Sequence, residues 1–225
     1  SLIQARKDKH SEHIITMEDP IEFIFNSGKS IIHQRDVGKD ALSFASGLKA
    51  ALREDPDVLL VGEMRDLETI SAALTAAETG HLVLSTLHTH DTAETINRII
   101  DAFPTSQQGQ VRSQLAASLQ MVIAQRLVSS LDGKRTLVYE VMTSNYAIKS
   151  HIRQGSLHQI QNYMQTDTTG TMNLFDQSLA SRVLEGLVGL ETAYSHCRSR
   201  EQLTHLLELN GVEVPADFSG ADDDE

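Results

Sequence analysis

The chain contains few of the residues that mark secreted, membrane or nucleic-acid-binding proteins. It has one cysteine, Cys197, among its 225 residues, so no internal disulfide can form and a reducing compartment is favoured. No apolar run approaches the roughly 20 residues that cross a bilayer, and we expect no signal peptide. The net charge of −12 argues against the broad basic surface that binds a phosphate backbone, so we expect no nucleic-acid partner.

The sequence also lacks the glycine-rich loop that holds nucleotide phosphates. That loop has the pattern G-x-x-x-x-G-K-[ST], and its backbone N–H groups surround the phosphates. The nearest candidate is Gly28-Lys29-Ser30, but the position that needs the first glycine is Phe23. Residues 30–34 also have the pattern of a strand, whereas such a loop opens a helix. We therefore predict a turn here.

The most informative stretch is residues 55–91. Its two short apolar runs, residues 58–61 and 82–84, are typical of buried parallel strands. Between them Asp66 can cap a helix that Gly80 ends. The apolar face of this helix would consist of Leu67, Ile70, Leu74 and Ala77. In such a strand-helix-strand unit the ligand site lies beyond the carboxyl ends of the strands.

Polar residues stand at both of those strand ends. Glu63 and Arg65 follow the first strand, and Thr86, His88 and Asp91 follow the second. An apolar strand that ends in an acid is the Walker B arrangement, in which a carboxylate positions Mg²⁺ or activates a water beside a nucleotide's terminal phosphate. Taken alone, the same pattern is equally typical of a buried strand that enters a solvated loop.

The rest of the chain suggests one α/β domain with a helical appendage. We expect a helix capped by Asp40, with Leu42 on its apolar face, and a helix opened by a capping box at residues 91–94. A long helix is predicted over residues 106–128 and a strand over residues 136–142. The expected domains are residues 1–143 for the α/β part and 144–210 for a C-terminal helical region. Residues 211–225 would be an acidic tail without stable structure.

Three motifs together resemble a known family. They are I-T-M-E-D-P-I-E at residues 15–22, L-L-V-G-E-M-R-D at 59–66 and T-G-H-L-V-L-S-T-L-H-T at 79–89. They are similar to the aspartate box, Walker B motif and histidine box of the secretion ATPase superfamily of type II secretion and type IV pili. The resemblance is strongest to the pilus retraction ATPases. It continues through residues 34–38 and 147–155 and covers most of the chain up to about Leu207.

The resemblance implies an α/β fold with a RecA-like P-loop NTPase core and a small C-terminal helical region. In the family, the strand and helix that carry the phosphate loop lie immediately upstream of the matched part, so the core is expected to be truncated before that loop. Many assembly and type II secretion members carry a four-cysteine zinc module. One cysteine cannot build that module, so we expect no structural zinc site and favour the retraction subtype.

The resemblance also assigns the catalytic and metal-binding candidates. Glu63 is the expected general base that orients or deprotonates the attacking water, and the alternative is an ion pair with Arg65. Gly62 stands where many other Walker B motifs carry Asp, so Mg²⁺ needs other ligands. The candidates are Glu18, Asp19 and Glu22, although the first two could merely cap a turn.

Two histidines have different expected roles. His88 is the candidate for contacting the terminal phosphate. His81 stands seven residues earlier, at the other end of the strand, and could equally be a polar residue at a strand edge. An extended chain separates the two by roughly 20 Å, so we do not expect them to chelate one metal ion.

Residues 147–155 predict an amphipathic helix outside the hydrolytic site. Lys149 and Arg153 are spaced i, i+4 on one face, and Ile148 and Ile152 lie on another. The resemblance to the family favours a coupling surface that transmits force. The alternative is an ordinary amphipathic helix.

The function that the resemblance implies is a motor that couples ATP hydrolysis to pilus disassembly and twitching motility. It would use ATP and Mg²⁺, form a homo-hexamer, and lie in the cytoplasm, peripherally at the inner membrane, with the pilus platform protein and pilus machinery as partners. Alternatives are a type II secretion or pilus-assembly relative, and a nonhydrolytic interaction fragment. A RecA-like nucleic-acid translocase is disfavoured by the acidity. Without a phosphate loop, hydrolysis by this chain itself is left open.

Overall fold

The computed structural model describes residues 2–219. The strands are β1 His13–Glu18, β2 Ile31–Asp36, β3 Val58–Val61, β4 Leu82–Ser85, β5 Met121–Ser129 and β6 Arg135–Thr143. The helices are α1 Leu2–Lys7, α2 Phe44–Ala51, α3 Leu67–Glu78, α4 Thr92–Asp101, α5 Thr105–Ser118, α6 Tyr146–Gln154, α7 His158–Gln165, α8 Phe175–Leu184, α9 Leu190–His196, α10 Arg200–Leu209 and α11 Ala216–Ser219. None of the helices within residues 2–219 is long and apolar enough to cross a membrane.

The chain forms two compact units. Unit 1 comprises the residues up to His88 together with Arg98–Leu119, and unit 2 comprises Thr89–Asn97 together with the residues from Gln120 onward. The hairpin β5–β6 falls in unit 2 because β6 packs against α8. The compact units thus divide the chain before the hairpin, whereas the boundary expected from the sequence follows it. The domain division at residues 143 and 144 stays a prediction.

Unit 1 contains a four-stranded parallel sheet of order β2-β1-β3-β4. Its central strands are short apolar runs that are buried on both faces, as expected for a parallel sheet. One face packs against α2 and α3 in a core that contains Ile15, Met17, Leu48, Leu59 and Ala76. The prediction of an α/β fold with a parallel sheet is confirmed. β4 is an edge of this sheet, and all four of its residues are only half-buried.

Helix α3 forms with the predicted cap and the predicted glycine after it, but its apolar face is only partly as predicted. Ile70 and Leu74 are buried, whereas Leu67 is 37% exposed and Ala77 is half-buried. Asp66 has an extended backbone, and its side chain accepts a hydrogen bond from Thr69 N at 2.8 Å. This bond satisfies one of the N–H groups that the first turn leaves unpaired. Gly80 follows the helix with φ of 101°, a left-handed conformation that glycine adopts without steric cost. The helix lies between β3 and β4 in the chain, and the two strands it connects are parallel neighbours in the sheet.

Two of the predicted helices are wrong at their ends. Helix α2 begins at Phe44 after Ser43, whose side chain accepts from Ser46 N, so Asp40 is not its cap. Leu42 precedes the helix and is 95% exposed. Asp40 instead accepts a hydrogen bond from Asp36 N, which stabilises the turn after β2.

The long helix predicted over residues 106–128 is also wrong. Helix α5 ends at Ser118, and residues 121–129 form β5. Burial in this segment follows a period of two, with Val122, Ala124 and Val128 buried and most of their neighbours exposed. The strand forms because it pairs with β6 along its whole length in an antiparallel hairpin, an interaction that helical periodicity in a local window does not report.

The C-terminal part of unit 2 is helical, as predicted, from α6 to α11. Its core contains Val138, Phe175, Leu179, Leu203 and Leu207. Part of the predicted tail is helical too, since α11 lies within it. Phe218 in this helix stacks on Tyr194, with ring centroids 5.1 Å apart. The remaining residues of the predicted acidic tail, 220–225, lie outside the described residues.

Candidate functional site

The candidate site lies at the carboxyl edge of the parallel sheet in unit 1. Because β1, β3 and β4 run in the same direction, their final residues meet at one edge. Glu18 ends β1, Glu63 follows β3, and His88 follows β4. Sequence positions that are far apart are thus brought to one edge of the sheet, where open parallel sheets bind their ligands.

Glu63 is largely shielded from solvent and has two basic neighbours. Its side chain is 15% exposed, and Oε2 lies 2.8 Å from Nη2 of Arg65 and 3.4 Å from Nε2 of His88. The side chains of Arg65 and His88 are 73% and 68% exposed. The structure therefore brings together the predicted base, its predicted ion-pair partner and the predicted phosphate contact. The geometry is compatible with both of the roles considered for Glu63.

The backbone of His88 has an unusual conformation. Its φ is 53°, in the left-handed region that residues other than glycine adopt uncommonly, with histidine among those found there more often than most. Such conformations persist when the surrounding structure holds them, and they are concentrated at functional sites.

Gly62 lies against the backbone of β1. Its N–H donates to Met17 O at 2.8 Å, and a Cβ at this position would stand 3.1 Å from Met17 O and 3.5 Å from Glu18 Cα. An aspartate at position 62 would therefore crowd the end of β1. The close approach of the two strands gives a physical reason for the glycine that precedes Glu63.

The loops after β3 and β4 are fastened to each other. Thr86 Oγ1 donates to Gly62 O at 2.6 Å, and Met64 N donates to Thr86 O at 3.1 Å. These two bonds hold residues 62–64 beside the end of β4. They fix the turn that carries Glu63, which a positioned general base requires.

Glu18 is positioned by two hydrogen bonds to a single oxygen. Oε1 accepts from Thr16 Oγ1 at 2.6 Å and from Gln34 Nε2 at 3.0 Å, and Thr16 is fully buried. Gln34 also binds the backbone of Phe23 and Phe25, so it orders the loop after β1. Within residues 2–219 no donor contacts Oε2 of Glu18, which leaves this oxygen for a ligand.

The residues at this edge fit a magnesium ion that keeps most of its waters. Asp19 and Glu22 are exposed on the loop after β1. Among the residues described, no group of three or more His, Cys, Asp or Glu side chains is arranged to hold a metal ion. Mg²⁺ is commonly bound through one or two carboxylates, several waters and the substrate's phosphates. Glu18 can provide such a carboxylate without a cage of protein ligands.

The turn predicted at Gly28-Lys29-Ser30 is confirmed. The backbone N–H groups of Lys29 and Ser30 both donate to Lys7 O, at 3.0 and 3.2 Å. The hydroxyl of Ser30 is buried and donates to the backbone oxygen of His10. These groups are already bonded within the protein, and residues 31–36 continue as β2. This segment therefore does not have the form of a phosphate loop.

His81 contacts the end of α3 and not the candidate site. Its Nδ1 lies 2.9 Å from Ala76 O and 3.1 Å from Thr79 Oγ1. It stands before β4, and His88 stands after it, so the two histidines lie at opposite ends of that strand. The contacts of His81 are those of a residue that satisfies a carbonyl group at a helix C-terminus.

The predicted amphipathic helix at residues 147–155 is present as α6. Ile148 and Ile152 are fully buried, Lys149 is half-buried, and Arg153 is exposed. Gly155 ends the helix with φ of 72°. The helix and its apolar face are confirmed, and the role of Lys149 and Arg153 in coupling stays a prediction.

One buried charge was missed by the sequence analysis. Glu140 on β6 is fully buried, and it contacts Arg198 and Thr92. Its burial could have been predicted from the alternating pattern of β6, because Val138 and Met142, two residues before and after it, are buried as well. A carboxylate in phase with buried residues must find compensation elsewhere in the fold.

Comparison with known proteins gives consistent matches. The family model described as "Type II/IV secretion system protein" matches residues 2–206. A twitching motility protein of Neisseria gonorrhoeae is 46% identical over 205 residues, which are 91% of this chain and 55% of that protein. The type IV pilus retraction ATPase PilT of Pseudomonas aeruginosa is 49% identical over 181 residues, which are 80% of this chain and 53% of that protein.

A solved structure shares the fold. The crystal structure of the pilus retraction motor PilT with bound ADP superposes with a TM-score of 0.83 at 48% identity, and the match covers 91% of this chain and 58% of that chain. This chain thus spans about half the length of the relatives that it matches. The fold is that of the ATPase domain of these proteins. Matched by the family model along most of its length, the chain belongs to the type II/IV secretion system protein family.

Proposed function

We propose that this chain is the C-terminal ATPase-domain portion of a type IV pilus retraction motor, which couples ATP hydrolysis to pilus disassembly and twitching motility. The observation that carries the proposal is the meeting of Glu63 and His88, with Nε2 of His88 3.4 Å from Oε2 of Glu63. A shielded carboxylate and an exposed imidazole at one strand edge are the groups needed beside a terminal phosphate.

The residues at this edge of the sheet have different proposed roles in ATP hydrolysis. When bound, Mg·ATP supplies the terminal phosphate that a water attacks. Glu63 accepts the proton of that water or orients it, since the turn that carries it is fastened to β4 by Thr86. Arg65 and His88 are exposed, so either can turn from Glu63 toward a phosphate oxygen. That exchange would free Oε2 for the water.

Glu18 is the proposed magnesium ligand of the same site. Thr16 and Gln34 hold its Oε1, so Oε2 would be the oxygen available to hold a hydrated Mg²⁺. Asp19 and Glu22 follow on the exposed loop and would contribute through waters.

The proposed partners follow from the family. The motor would be a homo-hexamer in the cytoplasm, peripherally associated with the inner membrane through the pilus platform protein and pilus machinery. The names of two relatives, a twitching motility protein and a pilus retraction ATPase, support retraction. The single cysteine supports it too, since a four-cysteine zinc module is excluded.

A single substitution in the native gene tests this proposal. Glu63→Gln keeps the shape of the side chain but removes the base. A retraction motor that has lost hydrolysis should leave cells with surface pili but without twitching. An assembly motor would instead lose its pili, and a secretion motor would lose export while twitching persists. Glu68→Gln, at an exposed acid in the first turn of α3, is the control. Normal twitching in the Glu63→Gln strain would overturn the proposal.

A further inference from the structure

Two histidines meet on neighbouring strands of unit 1. His13 begins β1, and His33 lies within β2, the edge strand beside it. Nε2 of His13 lies 2.9 Å from Nδ1 of His33, and the planes of the two rings are nearly perpendicular. His33 is exposed, and His13 is half-buried. His13 stands at the amino end of β1, whereas the candidate ATPase site lies at the carboxyl edge of the sheet, so the pair is separate from that site.

The groups around His13 determine which of its ring nitrogens carries a hydrogen. Nδ1 lies 3.1 Å from Glu54 O and 3.3 Å from Asp55 O. A carbonyl oxygen only accepts hydrogen bonds, so Nδ1 of His13 is the donor. In the neutral ring, Nε2 then presents a lone pair. That lone pair is directed at His33, whose Nδ1 donates to it.

The turn that orients His13 is itself held in place. Both carboxylate oxygens of Glu54 accept hydrogen bonds from Nη2 of Arg35, at 2.7 and 2.6 Å. Asp57 Oδ2 accepts from the backbone N of His13 at 2.8 Å. Metal-binding histidines almost always donate their other ring N–H to a carbonyl or carboxylate, which fixes the direction of the ligating nitrogen. His13 has this support.

We propose that His13 and His33 form a binding site for a divalent transition-metal ion of the Cu²⁺ or Ni²⁺ type. Metal–imidazole bonds are about 2.0–2.1 Å long, so two of them at a right angle, as in the tetragonal geometry of these ions, place the nitrogens about 2.8–3.0 Å apart. The observed separation is 2.9 Å. No function has been assigned to this pair above, and the inference does not depend on the proposed ATPase activity.

The ion replaces the hydrogen that the two nitrogens share. His33 stays neutral by carrying that hydrogen on Nε2 instead of Nδ1, so no proton is lost or gained. Because His33 is exposed, its ring can turn until its lone pair and that of His13 meet at the ion. Within residues 2–219 no third His, Cys, Asp or Glu side chain is arranged with the pair, so waters complete the coordination.

The charge of the adjoining turn favours a cation. Glu54, Asp55 and Asp57 contribute three negative charges between α2 and β3, and Arg35 contributes one positive charge. Carboxylates that surround a site raise the local concentration of cations. A bound ion would also join β1 to the edge strand β2, and it should therefore stabilise the folded protein.

Titration of the native protein with Cu²⁺, followed by calorimetry and electron paramagnetic resonance, tests the site. His33→Gln removes one ligand at an exposed position and should weaken the tightest Cu²⁺ site at least about tenfold, since loss of even an outer-shell partner commonly costs that much. The wild-type spectrum should show two equatorial nitrogen ligands, and the variant spectrum one. His158→Gln, at an exposed histidine that begins α7, is the matched control and should bind as the wild type does.

Two measurements keep the test independent of the variant's stability. Substoichiometric Cu²⁺ should broaden the imidazole NMR signals of His13 and His33 in the wild type before those of the other histidines. Ni²⁺ should raise the melting temperature of the wild type and of His158→Gln more than that of His33→Gln. Equal Cu²⁺ affinity and spectra in wild type and His33→Gln, or broadening that begins at other histidines, would show adventitious binding only and overturn the proposal.

Discussion

Arg65 and Glu63 are paired across the turn after β3, with Nη2 of Arg65 2.8 Å from Oε2 of Glu63. The arginine is 73% exposed and the glutamate 15%, so one partner lies in solvent and the other is shielded. Ion pairs with an exposed partner stabilise a fold by only about 0.2–1 kcal/mol. A bound phosphate can therefore displace Arg65 at little cost. The ion pair is therefore compatible with the proposed catalytic role of Glu63.

Glu63→Gln in the purified native protein should lower ATP hydrolysis by at least about 10²-fold, the typical contribution of a general base. Nucleotide affinity should remain largely intact, because the amide preserves the shape of the side chain and the turn is held by Thr86 and Met64. Steady-state phosphate release and a nucleotide-binding titration measure the two quantities. Turnover near the wild-type rate would remove Glu63 from the mechanism, and Glu68→Gln serves as the matched control.

Gly62→Ala should lower the free energy of unfolding by about 1–3 kcal/mol, the usual cost of overpacking. The new Cβ would stand 3.1 Å from Met17 O, and a backbone oxygen in a paired strand cannot move aside easily. Gly109→Ala in α5 is the control, since nothing lies within 4 Å of its Cβ position, and alanine favours a helix by up to about 1 kcal/mol. Equal melting temperatures for the two variants would contradict the close approach of β1 and β3.

Local sequence signals were sufficient for the β3-α3-β4 unit. Its apolar runs, the Asp66 cap and Gly80 are each encoded within a few residues, and the parallel arrangement then places Glu63 and His88 at one edge. The boundary between α5 and β5 could not be found in this way. Val122 fits both a helical stripe and an alternating strand, and its pairing opposite Met142 decides between them. That pairing is a long-range interaction that no local window contains.

The buried ion pair of Glu140 and Arg198 could not be predicted from local sequence for a similar reason. Glu140, Arg198 and Thr92 belong to three separate segments, and no spacing rule connects them. Only the phase of Glu140 among buried neighbours indicated that its charge would be enclosed. The identity of the compensating cation depended on the packing of the C-terminal helices.

Asp66 should make the stability of the protein depend on pH through the N-cap of α3. The backbone N–H of Thr69 holds the pKa of this carboxyl below its ordinary value of 3.8. A lowered pKa means that the stabilisation is present above that ordinary value and is lost as the pH falls through the pKa of the folded protein. Asp66→Ala should cost about 1 kcal/mol at neutral pH. The cost should shrink when unfolding is measured below about pH 4, within the range where aspartate titrates.

Asp66→Asn is the informative comparison for the same helix. Asparagine still accepts the bond from Thr69 N but carries no charge, so the variant should keep most of the cap and lose its pH dependence. Denaturant unfolding of wild type, Asp66→Asn and Asp66→Ala at several pH values measures this. An alanine variant whose destabilisation stays constant down to pH 2 would show that the carboxylate's charge plays no part.

Replacing Lys149 and Arg153 together by Ala should separate hydrolysis from retraction. Arg153 is exposed and Lys149 is half-buried, and neither belongs to the buried isoleucine face of α6. The free energy of unfolding should therefore change by no more than about 0.5 kcal/mol, and ATP turnover should change little. Twitching should be lost if this face transmits force. Lys134→Ala with Arg135→Ala, at the exposed start of β6, controls for the loss of two positive charges. Parallel loss of hydrolysis and retraction would count against a specific coupling role.

The 225-residue chain by itself should not hydrolyse ATP at a meaningful rate. Phosphoryl transfer depends on positioning and charge stabilisation, and in P-loop enzymes the loop supplies much of both. The only G-K-S sequence here has its N–H groups bonded to Lys7 O, and the half-buried edge strand β4 favours association over an ordered ring. We expect weak or undetectable Mg·ATP affinity and no stable functional hexamer from these residues alone. Phosphate release by this chain, measured beside its Glu63→Gln variant, decides the matter: robust turnover abolished by the substitution would mean that the phosphates are held by other residues of the chain.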